Sequence, residues 1–94
     1  MNPTKPPAWI QELEGALANL WRQCIDDGLK LPFTTRIVGQ NNSVLTLRFD
    51  GGRTRILAEH SKDGLFAPPI KVSVADRYGK VVRAVIHPGK ITYQ

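Results

Sequence analysis

Cysteine is nearly absent from this chain of 94 residues, which contains one. A single cysteine excludes a scaffold of disulfides within the chain, and the two histidines lack the paired spacing of metal ligands. No apolar run approaches the ~18 residues that a membrane-spanning helix requires, and residues 1–7 lack the apolar stretch of a secretion signal. With a free thiol and no such signal, the expected compartment is the reducing cytoplasm.

The sequence signatures of common catalytic and cofactor sites are also missing. The chain has no P-loop, no dinucleotide-binding glycine pattern, no nucleophile elbow and no paired catalytic carboxylates. We therefore expect no cofactor, no metal and a non-enzymatic role. The length and a hydrophobic content of 41% allow one domain over residues 7–94, preceded by a flexible, Pro-rich N-terminus at residues 1–6.

Residues 7–27 have the periodicity of one amphipathic helix. Apolar side chains recur at alternating spacings of three and four along one helix face: Ile10, Leu13, Leu17, Leu20 and Cys24. Trp21 and Ile25 widen this stripe, and a cysteine on such a stripe is expected to be an inert apolar residue. Gly28 is placed to end the helix in a left-handed conformation, with Leu29 folding back on the last turn.

After Pro32 the apolar period changes from 3.6 to 2, which is typical of β-strands. Strands are predicted near residues 33–38, 44–49, 53–58, 70–75 and 81–86, with residues 91–93 as an optional sixth. The predicted fold class is therefore α+β, with one N-terminal amphipathic helix packed on a four- to six-stranded antiparallel, meander-like sheet. An open sheet and a partly closed one both fit the pattern.

Two predicted hairpins determine which strand residues share a face of the sheet. A tight turn at Asp50-Gly51-Gly52 places six residues on the helix side: Leu45, Leu47, Phe49, Thr54, Ile56 and Ala58. A three-residue loop at residues 77–79 pairs Val74 with Val82, Val72 with Ala84, and Ile70 with Ile86. The polar residues of both hairpins then project from the opposite, outer face.

Positive charge is concentrated in the predicted sheet. Residues 1–28 carry two basic and four acidic side chains, whereas residues 29–94 carry eleven basic and four acidic ones. Six basic residues are predicted on the outer face: Arg36, Arg48, Arg53, Arg55, Lys71 and Arg83. Guanidinium groups bind carboxylate and phosphate in bidentate geometry, so this face predicts an anionic partner.

The basic face has several interpretations. The first is a small binding or adaptor domain for an acidic protein or other anionic partner. The second is a nucleic-acid-binding protein whose arginines contact phosphates, although the face lacks the aromatic residues on which single-strand binders stack bases. The plain alternative is a solvated sheet face, since outward strand positions need polar residues in any case.

A third functional hypothesis is a small-molecule binder or enzyme with a site near residues 59–63. Glu59, His60 and Asp63 supply acid and base groups, but neighbours on one loop seldom converge on a substrate. His60 and Phe66 are also candidate contacts for a partner.

Aliphatic residues are also predicted on the outer face, at Val38, Val44, Leu57, Val81 and Val85. This is more apolar surface than a fully solvated face usually carries. The sheet is therefore expected either to curl into a partial barrel or to be covered by a second copy of the chain, as a homodimer, or by another partner.

Overall fold

A computed structural model describes residues 8–39, 42–60 and 69–94, with side chains described from Leu13 onward in the helix. Over these residues it contains one α-helix and six β-strands: α1 (Ala8–Asp26), β1 (Phe33–Val38), β2 (Val44–Phe49), β3 (Thr54–His60), β4 (Ile70–Ala75), β5 (Val81–His87) and β6 (Lys90–Tyr93). Each predicted element is present within two residues of its expected bounds. The predictions for residues 1–6, Asp63 and Phe66 fall outside the described residues.

The strands form one antiparallel sheet in the order β3-β2-β1-β4-β5-β6. Two three-stranded meanders, β1-β2-β3 and β4-β5-β6, are joined where β1 pairs with β4. In the described chain β3 and β6 each have one neighbouring strand, so the sheet is open. The α+β prediction is confirmed, with six strands and without closure into a barrel.

Both predicted hairpins form. The first turns through Gly51, whose φ is +106°, and the Asp50 N–H donates to the Arg53 carbonyl at 3.2 Å. The second turns through Gly79, whose φ is +87°. Its strands pair as predicted: Val74 with Val82, Val72 with Ala84, and Ile70 with Ile86. Glycine is needed at both turns because an L side chain is strained at positive φ.

The helix ends in a Schellman motif. The Leu29 N–H donates to the Cys24 carbonyl and the Gly28 N–H to the Ile25 carbonyl, each at 3.0 Å. Gly28 has the expected left-handed φ of +90°, and Leu29 is buried beneath the last turn. The predicted helix ending is confirmed.

No helix among the described residues is long and apolar enough to span a membrane.

We expect Gly28→Ala to lower the free energy of unfolding by roughly 1–2 kcal/mol, because a left-handed backbone is strained by a Cβ atom. The new Cβ would also lie 3.2 Å from Lys80 Nζ. Gly15→Ala is the matched control: an added Cβ has nothing within 4 Å, so stability should rise by about 0.5–1 kcal/mol, as in other exposed helix positions. Urea unfolding followed by circular dichroism measures both changes, and a loss of similar size at the two positions would contradict this account.

The core lies between α1 and the inner face of the sheet. Its buried apolar residues are Leu13, Leu17, Leu20, Trp21, Cys24, Leu29, Phe33, Ile37, Leu47, Ile70, Val72, Val74, Ala84 and Ile86. The described part of the predicted helix stripe is therefore confirmed. Ile25 is the exception and is 48% exposed, because it lies about 100° around the helix from Cys24, away from the sheet.

Trp21 connects α1 to two strands. Its ring stacks on Phe49 with ring centroids 4.2 Å apart and an interplanar angle of 8°. Its Nε1–H donates to the Oγ1 of Thr35 at 2.8 Å, which satisfies a fully buried hydroxyl on the inner face of β1. This pair of contacts positions the C-terminal half of α1 over β1 and β2.

Asp76 connects the chain that follows α1 to the β4–β5 hairpin. Its carboxylate accepts backbone N–H groups from Tyr78 at 2.9 Å and from Lys30 and Lys80 at 3.0 Å. Burial by itself raises the pKa of Asp76, but the three N–H donors and the nearby Lys80 ammonium outweigh it and lower that pKa. One carboxylate thus holds two chain segments that are distant in sequence.

The helix covers only part of the inner face. A helix with its side chains is about 10 Å wide, whereas six strands at a spacing of about 4.8 Å extend over about 24 Å. All seven residues of β3 are exposed as a result. Ile56, which faces the helix side of the sheet, is 64% exposed, and Leu57 is 53% exposed.

A β-bulge in β3 corrects one predicted position. The register between β2 and β3 shifts by one residue after the Leu47–Ile56 pair, which leaves Leu57 as the extra residue. Beyond the bulge the alternation is inverted, so Ala58 lies on the outer face and Glu59 on the inner face. The predicted inward position of Ala58 is therefore wrong.

Candidate anion-binding face

Six of the exposed cationic side chains on or at the margin of the sheet face opposite α1 form a set that we call the basic face. Its members are Arg36, Arg48, Arg53, Arg55, Lys71 and Arg83. Five occupy outward strand positions, because the residues on either side of them in sequence face the core or its inner margin. Arg53 lies where the β2–β3 turn meets β3.

The strand register makes the basic face continuous over five strands. Arg36 and Arg83 flank Ser73 on its two neighbouring strands, so their Cα atoms are about 10 Å apart. Lys71 lies two residues before Ser73 and is diagonal to both arginines, at about 7–8 Å. Arg48 is diagonal to Arg36 in the same way. An extended anion that crosses the sheet can therefore contact one of these cations on each of the five strands.

Arg48 and Arg55 lie directly opposite each other in the β2–β3 pair. Like charges at directly opposed positions destabilise an antiparallel pair. Neither guanidinium group has a hydrogen bond or an ion pair with another described residue. With respect to the described residues, the two guanidinium groups are therefore open to a carboxylate or phosphate bound between them.

In the described part of the chain, acidic residues leave the basic face uncompensated apart from Arg53, whose charge interacts with the nearby Asp50 carboxylate. Glu59 lies on the inner face, and Asp50 and Asp76 lie in the two hairpin turns. The Asp50 carboxylate accepts the N–H groups of Gly52 at 3.0 Å and Arg53 at 2.8 Å, and these bonds lower its pKa. Backbone donors thus hold both turn carboxylates in place.

Aliphatic side chains separate the cations, as the sequence predicts. Val38 and Val44 form a half-buried cross-strand pair, and Val85 lies opposite Lys71. Val81 is exposed at the other end of β5. The aromatic side chains described by the structure lie elsewhere: Trp21, Phe33, Phe49 and Tyr93 on the helix side, and Tyr78 at a hairpin tip.

The candidate acid–base cluster at residues 59–63 does not converge where it is described. Glu59 and His60 are consecutive residues of β3 and project from opposite faces of the sheet. Asp63 and Phe66 fall outside the described residues. The structure therefore brings His60 to the outer face, opposite Val44, and places Glu59 away from it.

A groove of about 570 Å³ lies between α1 and the β5–β6 turn. Its main lining is apolar and comes from Leu13, Ala16, Ile70, Ile86 and Ile91, with polar groups from Asn19, His87 and Lys90. The described lining contains no carboxylate, serine or cysteine, and its titratable side chains are His87 and Lys90.

Cys24 is fully buried in the core. Burial, assisted by the negative charge of Asp27, raises the pKa of the thiol to about 11, so it is protonated at neutral pH. This state fits the inert role expected from its position on the helix stripe.

Among the described residues, no three His, Cys, Asp or Glu side chains are grouped as metal ligands would be.

The exposed edge of β3 is the feature that the sequence interpretation missed. Three successive apolar residues, Ile56-Leu57-Ala58, cannot alternate between two faces of a regular strand. This run was the available signal for the bulge. No local sequence pattern predicts that α1 leaves β3 uncovered, because this depends on which strands lie beneath the helix.

Searches with this chain found no match among protein-family models, curated proteins or solved structures. Its function is therefore inferred from the chemistry of the basic face.

Proposed function

We propose that this protein is a small, non-enzymatic binding or adaptor domain that holds an acidic protein against its basic face, in the cytoplasm. The observation that carries the proposal is the Arg48–Arg55 pair. Two exposed guanidinium groups oppose each other, and no outward strand position of the described face carries a carboxylate. Their repulsion destabilises the free protein and is relieved when partner carboxylates bind between them.

A protein partner fits the face better than a nucleic acid does. The Val38–Val44 pair and the exposed Val81 give apolar area that a phosphodiester backbone cannot use. The absence of described aromatic residues on this face also removes the stacking surface that single-stranded nucleic acids require. Nucleic-acid binding remains the competing outcome of the experiment below.

A homodimer formed through this face is disfavoured by its charge. Two copies stacked face to face would bring twelve cationic side chains together, since each basic face contributes six. Desolvating like charges at an interface is unfavourable. The occupant of the face should therefore carry carboxylates of its own.

Reversal of the arginine pair tests the proposal. We expect Arg48→Glu with Arg55→Glu to abolish binding of a capped polyglutamate peptide, measured by titration of the labelled protein in NMR. The fold should survive, because both side chains are exposed and have no partner among the described residues. The single Arg55→Glu change should even raise stability by roughly 0.2–1 kcal/mol, because it converts a like-charge pair into an opposite-charge pair.

The matched control is Arg22→Glu with Arg77→Glu, which changes the net charge equally on the helix and at a hairpin tip. This variant should retain most of the binding at low salt. If the two double variants lost peptide binding equally, the effect would depend on net charge alone. That result would overturn the assignment of binding to the basic face. Tighter binding of mixed short DNA or RNA than of polyglutamate, compared at about 50 and 200 mM salt, would favour the nucleic-acid function instead.

A further inference from the structure

The edge strand β3 presents backbone groups that point away from its neighbour β2, beside the basic face. The Asp50 N–H to Arg53 carbonyl bond makes residues 50 and 53 a hydrogen-bonded pair. Because such pairs alternate along an antiparallel ladder, the N–H and C=O groups of Thr54 and Ile56 point away from β2. Within the described residues β3 pairs with β2 alone. Two successive docking positions for another strand are therefore available.

The side chains beside these groups specify what that strand should contain. Arg53 and Arg55 project toward the outer face, whereas Thr54 and Ile56 project toward the inner face, where α1 does not reach. A strand added next to β3 would place every second side chain opposite an arginine. Its remaining side chains would cover Thr54 and the 64%-exposed Ile56.

We propose that β3 is extended by a seventh strand from the partner, an extended segment in which acidic residues alternate with apolar or β-branched ones. This inference rests on the proposed function and specifies how the acidic protein docks. The acidic side chains pair with Arg53 and Arg55, the alternate side chains bury Ile56, and the main chain bonds to the outward groups of β3.

A second copy of this chain does not fit the same edge. The carboxylate of β3 itself, Glu59, lies on the inner face, so a second β3 offers no acidic group to the outward arginines. The bulge at Leu57 and the charged positions along β3 are features that oppose edge-to-edge pairing of identical strands. The edge therefore selects a strand of opposite charge.

Two peptides of identical composition test the docking mode. In the first, glutamate alternates with valine and threonine over about ten residues, and in the second the same residues are reordered so that the glutamates are contiguous. The alternating peptide should bind about tenfold more tightly, because only its pattern matches β3. It should also shift the amide signals of Thr54 and Ile56 and slow their hydrogen exchange.

Two variants examine the edge directly. Thr54→Pro removes one outward N–H and leaves the bonds to β2 in place, and Ile56→Lys removes the apolar contact. Each should remove the preference for the alternating peptide and leave binding of the contiguous peptide unchanged. Ile25→Lys, at another exposed isoleucine on α1, is the control and should retain the preference. If Thr54→Pro perturbs amides outside β3, the test rests on Ile56→Lys.

The outcomes separate this inference from the proposed function. Equal affinity for the two peptides, with shifts across the basic face and none at Thr54 or Ile56, overturns strand addition and leaves the basic face as the binding surface. Loss of binding for both peptides overturns the proposed function as well. Protection of β3 amides that grows with protein concentration and needs no peptide identifies a second copy as the occupant, and also overturns the inference.

Discussion

Trp21→Ala is expected to lower the free energy of unfolding by about 3–5 kcal/mol, a large share of the ~5–15 kcal/mol typical of a domain. Trp21 is 6% exposed, stacks on Phe49 at 4.2 Å and donates to Thr35 at 2.8 Å. Alanine removes both contacts and leaves a cavity between α1 and β2. Urea unfolding followed by circular dichroism measures the loss, and Ile25→Ala, at an exposed helix position, should change stability by no more than about 0.5 kcal/mol.

A double-mutant cycle separates the hydrogen bond from the packing. Thr35→Val leaves the indole N–H without its acceptor, and Trp21→Phe leaves the Thr35 hydroxyl without its donor, so each should cost about 1–3 kcal/mol. The double variant should lose less free energy of unfolding than the two single variants lose together, because neither polar group is then left unsatisfied. Strict additivity, or a loss below about 1 kcal/mol for Trp21→Ala, would contradict the role assigned to this contact.

Asp76→Asn is expected to be more destabilising than the same substitution at Asp50. Both carboxylates accept backbone N–H groups, but those at Asp50 come from its own turn, whereas Asp76 also binds Lys30, which is 46 residues away. Loss of the Asp76 charge therefore weakens a contact between distant segments. Thermal unfolding of the two variants at pH 7 gives the comparison directly.

The pH dependence of unfolding provides the second part of this prediction. The pKa of Asp76 is lower in the folded chain than its unfolded value of about 3.9, so its stabilising contribution is fully present above that value. The contribution is lost as the pH falls through the lowered folded pKa. The melting temperature of Asp76→Asn should therefore fall less steeply than that of the wild type between about pH 5 and pH 2. Parallel curves for the two proteins would contradict this assignment.

The helix and hairpins follow from local sequence signals. The spacing from Leu13 to Cys24 and the Gly28 ending need only neighbouring residues to specify α1. The loop glycine Gly79 likewise determines the register of the β4–β5 hairpin. These elements agree with the structure because each is determined within a few residues of sequence.

The remaining features depend on contacts between distant segments. The pairing of β1 with β4 places Thr34 opposite Ala75, and no local pattern indicates that neighbour. The exposure of Ile56 follows from the position of the helix across the sheet, and the face of Ala58 follows from the bulge. The outward strand positions of Arg36, Arg48, Arg55, Lys71 and Arg83 nevertheless follow from the alternation in the sequence, since each lies outside the register shift.

The strand order also has a kinetic consequence. Within each meander the paired strands are consecutive in the chain, so their contacts close short loops, whereas the β1–β4 junction joins residues as far apart as Thr34 and Ala75. Closing a long loop costs more entropy than closing a short one, and folding rates fall as contacts become less local. We therefore expect the pairings within each meander to form before the β1–β4 junction, and the closure of that junction to limit the folding rate.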